Sequence, residues 1–371
     1  MRFLIITNAP TLKRKGEQHA YAPYVNEMDI WFKHVDDVVI VSPTSYDQEL
    51  LLSSFKKQPK VVSIPSLNFT TFYNMVKSVF LVPKIAIKLA VQMKKADHIH
   101  LRCPGNIGLI GCFVQILFPK KMKTAKYAGN WNPEAKQPRS YQLQKKLLSN
   151  TMLTKNIQVL VYGDWKNQTK NIKAFFTATF KNFEIEEPIK RNYNGELKFV
   201  FIGSLVKGKR PLLSIKIVEE LCKQGKKIRL DVFGDGTLKE ELQDYVNERN
   251  LEAYIVLHGN REKEVVKKAL KTAHFLILPS KSEGWPKVVA EAMFFGTIPI
   301  VTQVSCVPYM LGYGKRGILI EPKLEEAVSH VVSELKNAEA LQLKAKEGVK
   351  WSQHYTLDLF ESEIAKLVKS Q

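Results

Sequence analysis

Short runs of branched apolar residues recur along this chain, each followed by a stretch long enough for a helix. In the first half the runs are Phe3–Thr7, Asp37–Val41, Val61–Ile64, His98–Leu101, Lys123–Ala128 and Gln158–Tyr162. A second series restarts at Lys198–Ile202. It continues through Ile228–Phe233, Ile255–Leu257, Phe275–Pro279, Ile298–Thr302 and Gly317–Ile320. Strands alternating with helix-length segments indicate parallel α/β units, so each series predicts one such domain. Helices are predicted over Tyr24–Lys33, Thr237–Arg249 and Lys263–Thr272. Near the end, Leu359, Phe360, Ile364 and Leu367 fall at helical spacing. Glu184–Gly195 is polar and broken by Pro188 and Gly195, which predicts the linker. A length of 371 residues suits two domains. Two α/β domains in tandem predict a cleft between them where a ligand binds.

The net charge of +20 is uneven. Residues 1–190 hold 28 Lys and Arg against 13 Asp and Glu, leaving +5 for the remainder. A basic half favours anionic partners: nucleic acid, anionic lipid head groups or phosphorylated substrates. Cys103, Cys112, Cys222 and Cys306 form no CxxC pair, so reduced, mostly buried thiols of a cytoplasmic protein are expected. Met1–Thr7 reads as a first strand rather than a signal peptide. The apolar run Ile107–Phe118 is too short to span a bilayer.

Two segments of the second half carry the chemistry. Gly203-Ser204-Leu205-Val206-Lys207-Gly208-Lys209-Arg210-Pro211 follows a strand and opens a helix. Pro suits the first helical turn, and free N–H groups there, with three cations, make a seat for a phosphate or diphosphate. A basic surface turn is the plainer alternative. The spacing nearly spells a P-loop, but Arg210 stands where a magnesium-binding Ser or Thr belongs, which argues against an ATPase. In the second segment, Ser280 to Met293, Glu283 and Glu291 are eight positions apart. With Glu283 in the loop and Glu291 on the following helix, both carboxylates face one ligand and accept hydrogen bonds from sugar hydroxyls. Solvated or ion-paired glutamates are the alternative. Gly284 permits close backbone approach.

This second segment resembles the E-x7-E signature of retaining GT-B glycosyltransferases of the family 4 type (glycosyl transferases group 1), and the match extends through Gly296 and Pro299 to Thr302. Gly203–Lys209 is similar to the family's diphosphate clamp, and Phe233-Gly234-Asp235-Gly236 to the turn after its next strand. The resemblance covers residues 195–350 and is architectural over 1–190, apart from general features such as Gly16 in the first loop. It implies an α/β fold of the GT-B class, two Rossmann-like domains facing a central cleft. The implied domains are an acceptor-binding one over 1–185 and a nucleotide-sugar-binding one over 196–350, with a last helix over 351–371 crossing back. By the same resemblance, Lys209 neutralises the donor diphosphate, Glu291 binds its ribose, and Glu283 lies near the transferred sugar. The amides of Gly284, Trp285, Pro286 and Lys287 form the segment over sugar and phosphate, and Gly203, Ser204, Gly234 and Ser280 complete the donor site. Ser204 replaces the usual arginine, leaving Lys207 or Arg210 to take over.

Where many relatives have a histidine after the strand ending near Ala128, this chain reads Gly129-Asn130-Trp131. Gly16, Asn130, Trp131, Arg102 and Asn106 are candidates for the acceptor side or the cleft. The region Phe69 to Met93 mixes aromatic and apolar residues with Lys77, Lys84 and Lys88. It is either a pair of core helices broken at Pro83 or a membrane-facing surface. The expectation is retaining transfer from a nucleotide diphosphate sugar to a saccharide or lipid-linked saccharide in bacterial surface polysaccharide synthesis. It needs no cofactor or metal, binds no nucleic acid and proceeds in the cytoplasm or at the membrane's cytoplasmic face. The rivals are a GT-B epimerase or phosphorylase, and a basic nucleic-acid-binding protein.

Overall fold

The computed structural model describes residues 1–46, 51–68 and 70–369. The chain divides into two units, Met1–Phe175 with the chain from Glu361 onward, and Phe176–Phe360.

The strands of the first unit are β1 (Arg2–Ile6), β2 (Leu12–Arg14), β3 (Glu17–Tyr21), β4 (Asp37–Ser42), β5 (Leu52–Ser54), β6 (Lys60–Ser63), β7 (His98–Cys103), β8 (Met122–Tyr127), β9 (Ile157–Tyr162) and β10 (Ile172–Phe175). Its helices are α1 (Ala22–Phe32), α2 (Phe72–Lys95), α3 (Asn106–Val114) and α4 (Arg139–Ser149). Seven strands form a parallel sheet in the order β10-β9-β8-β7-β1-β4-β6. The order reverses at β1, as in doubly wound folds. Strands covered on both faces read as continuous apolar runs, which explains why the central ones are plain in the sequence.

The antiparallel sheet β2-β3-β5 was expected as loop. Its strands are short and polar, and the β2–β3 turn is made by Lys15 and Gly16, both at positive φ. Gly16 therefore serves a hairpin.

The region predicted as two helices broken at Pro83 is one helix, α2, running through Pro83; Phe69 lies outside the described residues. An interior proline costs about 3 kcal/mol. Ile85, Leu89 and Met93, one helical turn apart, are fully buried. Each contributes at most about 1.5–3 kcal/mol, so packing outweighs the proline. No helix among the described residues is long and apolar enough to cross a membrane.

The second unit carries β11 (Leu197–Ile202), β12 (Ile228–Phe233), β13 (Ile255–Gly259), β14 (Phe275–Leu278), β15 (Ile298–Thr302) and β16 (Ile318–Ile320). They form a parallel sheet in the order β13-β12-β11-β14-β15-β16, reversing at β11. Helices α5 (Pro211–Lys223), α6 (Lys239–Glu248), α7 (Lys263–Thr272), α8 (Lys287–Phe294), α9 (Val307–Met310), α10 (Leu324–Glu334) and α11 (Ala338–Ser352) follow in turn.

The division between units falls earlier than the polar linker suggests. Phe176 packs edge-on against Tyr355 and Phe360, and Phe180 packs against Phe294 and Phe295. Arg191 donates to the carbonyls of Ala273, Lys271 and Phe295. The supposed linker is thus fastened to the second unit. Trp351 belongs to α11 and stacks near Trp285 and Tyr355. The last helix, α12 (Leu357–Lys369), rejoins the first unit from Glu361, which meets Lys33 at 2.6 Å.

Candidate active site

At the reversal point of the second sheet, β11 and β14 are neighbours, so the loops leaving their carboxyl ends lie side by side. These are the two segments singled out from the sequence. Lys281 N–H donates to Gly208 O at 2.8 Å, tying one loop to the other. Lys209 Nζ then reaches both carboxylate oxygens of Glu283, at 2.6 and 2.8 Å. The Lys209 side chain is 30% exposed and Glu283 8%. The proposed phosphate cation and sugar carboxylate therefore neutralise each other.

The first loop has a strained backbone with unpaired amides. Arg210 adopts left-handed dihedrals (φ 52°, ψ 49°) immediately before Pro211 starts α5. A non-glycine residue there costs about 1–2 kcal/mol, strain of the kind stored at functional sites. Ser204, Lys207 and Gly208 donate their amide N–H groups to no acceptor among the described residues. Lys207 is exposed, whereas the Arg210 guanidinium turns toward Pro279 O at 3.4 Å. Arg210 is thus the candidate brought to the neighbouring loop. Gly234 is required by close approach: its φ is 138°, and a Cβ there would fall onto the carbonyl of Gly203.

The second loop is shaped by three side chains to which the sequence reading gave no part in the site, Ser305 among them not named there at all. Ser305 Oγ accepts from Glu283 N–H at 3.2 Å, Cys306 Sγ donates to Gly284 O at 2.9 Å, and Thr302 Oγ1 donates to Ser280 O at 2.5 Å. All three come from the end of β15 and the turn after it, and Ser305 has a left-handed φ of 53°. Ser280 is buried, with no hydrogen-bond partner for its hydroxyl. Pro286 precedes the first turn of α8, and the N–H groups of Gly284, Lys287 and Val288 have no acceptor among the described residues. Such a helix start attracts an anion.

Glu291, inside α8, accepts from Thr179 Oγ1 at 2.5 Å. Desolvation pushes its carboxyl above the ordinary range; the Thr179 hydrogen bond and Lys287 oppose this. Trp285 entered the expected site through its backbone amide, and its side chain has a separate role. Its ring stacks on Trp351 and meets Tyr355 edge-on, so the indole is given to packing.

In the first unit the expected cleft residues are largely structural. Arg102 forms an ion pair with the buried Glu27 and lies over the Tyr24 ring, while Lys126 reaches the other Glu27 oxygen at 3.0 Å. Trp131 is buried, edge-on to Tyr127, and its indole N–H donates to Gln168 at 2.9 Å. Asn130 caps its own turn by accepting from Asn132 N–H. Asn106 opens α3 and lines a cavity of about 670 Å³ with Asn8 and Tyr46. His98 and His100 share the Thr124 hydroxyl inside the sheet. Cys103, Cys112 and Cys306 are buried free thiols and Cys222 is partly buried. Among the described residues no group of three or more His, Cys, Asp or Glu is placed to hold a metal ion.

The two reversing parallel sheets and the paired loops are those of the GT-B class, with a Rossmann-like fold in each unit. Residues 182–350, within the second unit, match the family model described as glycosyl transferases group 1.

Among curated proteins the chain is similar to the uncharacterized glycosyltransferase MJ1059 of Methanocaldococcus jannaschii, 26% identical over 204 residues, 49% of each chain. It is also similar to the putative colanic acid biosynthesis glycosyltransferase WcaL of Salmonella typhimurium, 26% identical over 186 residues, 47% of this chain and 45% of that protein. The chain thus spans about half the length of these curated relatives. Among solved structures, Anabaena HepE in complex with UDP and glucose superposes with a TM-score of 0.66 at 13% identity, covering 100% of both chains. At that identity the likeness is one of fold.

Proposed function

We propose that the protein is a retaining glycosyltransferase that moves a sugar from a nucleotide diphosphate sugar to a hydroxyl of a saccharide or lipid-linked saccharide in bacterial surface polysaccharide synthesis. The observation that carries this reading is the Lys209–Glu283 pair at the sheet reversal, with Glu291 on the helix that follows. WcaL, named for colanic acid biosynthesis, and HepE, described with UDP and glucose, support the polysaccharide and donor parts.

In this reading the donor diphosphate enters between the two loops and takes Lys209 from Glu283. The bond from the anomeric carbon to the β-phosphate oxygen breaks, and the electron pair stays on the phosphate. Lys209, Arg210 and the open N–H groups at the start of α8 stabilise that growing charge in place of a metal ion. Glu283, released, accepts from sugar hydroxyls, and Glu291 from the ribose. The new bond forms to the acceptor oxygen on the face the phosphate leaves, and the acceptor hydroxyl gives its proton to the departing β-phosphate oxygen.

The reaction takes place at the cytoplasmic face of a membrane. Three faces of α2 support this. Ile85, Leu89 and Met93 face the core. Phe72, Val76, Phe80, Ile87 and Val91 form an exposed stripe. Lys77, Lys84, Lys88 and Lys95 border it at helical spacing. The transferase reading is tested with a panel of nucleotide diphosphate sugars and a saccharide acceptor. Transfer with the α-linkage of the donor kept supports it. Epimerised free sugar, or no nucleoside diphosphate released from any donor, refutes it.

A further inference from the structure

The first unit holds a second collection of cations that the proposed chemistry does not use. Trp131 and Lys136 come from the loop after β8, Gln168 from the loop after β9, and Lys145 and Lys146 from α4. They line a cavity of about 500 Å³ among the segments that follow β8 and β9, away from the sheet's reversal at β1. The hydrogen bond from Trp131 to Gln168 fixes one wall.

The charges in this cavity are unbalanced. Glu134 is its one acidic lining residue, is exposed, and pairs with none of the three lysines. No carboxylate among the described residues lies within ion-pair distance of Lys136, Lys145 or Lys146, although 20 such pairs occur elsewhere. Lys145 is half-buried and donates to Asn132 O at 3.0 Å. Its ammonium sits 5.7 Å from the centre of the Trp131 ring and 5.8 Å from that of Tyr127. Burial without a counter-charge pushes it down to about 8. A half-buried cation with only a carbonyl and two ring faces for company gains from an anion.

We propose that this cavity is an anion site of the first unit, taking the phosphate or diphosphate group of a phosphorylated ligand. Three lysines against one glutamate match a doubly charged group, and the volume admits part of what the phosphate is attached to. The site stands on its own residues; that its ligand is the phosphorylated acceptor rests on the transferase reading.

The test is calorimetric titration of inorganic pyrophosphate into the Lys209→Ala protein, so that the donor loop does not compete. Saturable binding is expected. It should weaken about tenfold in Lys145→Gln and again in the double variant Lys136→Gln, Lys146→Gln, whose sites are exposed and safe for folding. Displacement by glucose 1-phosphate, or by vesicles carrying a polyprenyl phosphate, names a soluble or a lipid-borne source. Absence of binding up to about 10 mM, equal binding in all variants, or displacement by neither competitor overturns the proposal. Nucleoside diphosphate binding to protein with Lys209 intact is measured alongside. It is expected to persist in the Lys145→Gln variant, so failure here is separable from failure of the transferase reading.

Discussion

Replacing Glu283 with glutamine should tighten the binding of a bare nucleoside diphosphate while impairing sugar transfer. Both oxygens of Glu283 hold Lys209, at 2.6 and 2.8 Å. A diphosphate must take that ammonium from the carboxylate before it is held. Two unit charges 4 Å apart attract by about 4 kcal/mol at an effective dielectric of 20. Lys209 is 30% exposed, however, and pairs open to solvent contribute net about 1 kcal/mol or less. Removing the competing charge should therefore strengthen nucleoside diphosphate binding by up to about fivefold. Glu291 is different, because it is assigned to the ribose and has no cation to release. Glu291→Gln should weaken the same ligand about tenfold. Calorimetry on both variants and the wild type measures the pair of effects. If Glu283→Gln weakens the nucleoside diphosphate as much as Glu291→Gln does, the competition argument and the division of roles are both wrong.

Acid should destabilise the first unit through its buried histidines. Burial lowers His98 to about 4 and holds His100 well below its ordinary range, so both are neutral in the fold and protonate first in the unfolded chain. Their contribution is intact above the unfolded value of about 6.5 and is lost as pH falls below it, for His98 toward about 4 and by about 2 kcal/mol at pH 5. Urea unfolding at pH 7 and 5 should show this loss, and the double variant His98→Gln, His100→Gln should lack it; an unchanged pH slope refutes the assignment. Transfer activity should survive exhaustive chelation with EDTA, and a loss restored by Mg²⁺ or Mn²⁺ contradicts the cation-and-amide account of leaving-group stabilisation. Wild-type protein should sediment with anionic liposomes at low salt, with each lysine near the surface worth about 1 kcal/mol, and Lys77→Glu, Lys84→Glu, Lys88→Glu together should abolish this. Indifference of the wild type to anionic lipid removes the membrane from the account.

The central strands of both sheets were legible because parallel strands buried on two faces leave unbroken apolar runs such as Val38–Val41 and Phe275–Leu278. The small sheet of Leu12–Arg14, Glu17–Tyr21 and Leu52–Ser54 was not, since short polar strands carry no such signal. Lys209, Glu283 and Glu291 were singled out because they follow strands and match the resembled family's segments, and the fold brings Lys209 to Glu283. Ser305 and Thr179 could not be singled out. Their partners lie 22 and 112 residues away, and only the folded chain brings them together. The packing of the Trp131 and Trp285 rings was not legible either. A large ring placed beside Tyr127 or Trp351 buries more apolar surface by turning inward.

The central claim is that the loops around Lys209 and Glu283 bind a nucleoside diphosphate. Thermal unfolding of the wild type and of Lys209→Ala with the diphosphates of each common base tests it most directly. A ligand at a hundred times its dissociation constant stabilises a fold by about 2.7 kcal/mol. The account predicts that at least one base raises the wild-type Tm by several degrees and that Lys209→Ala, folded and equally stable without ligand, loses most of the shift. No shift with any base, or an equal shift in the variant, contradicts it.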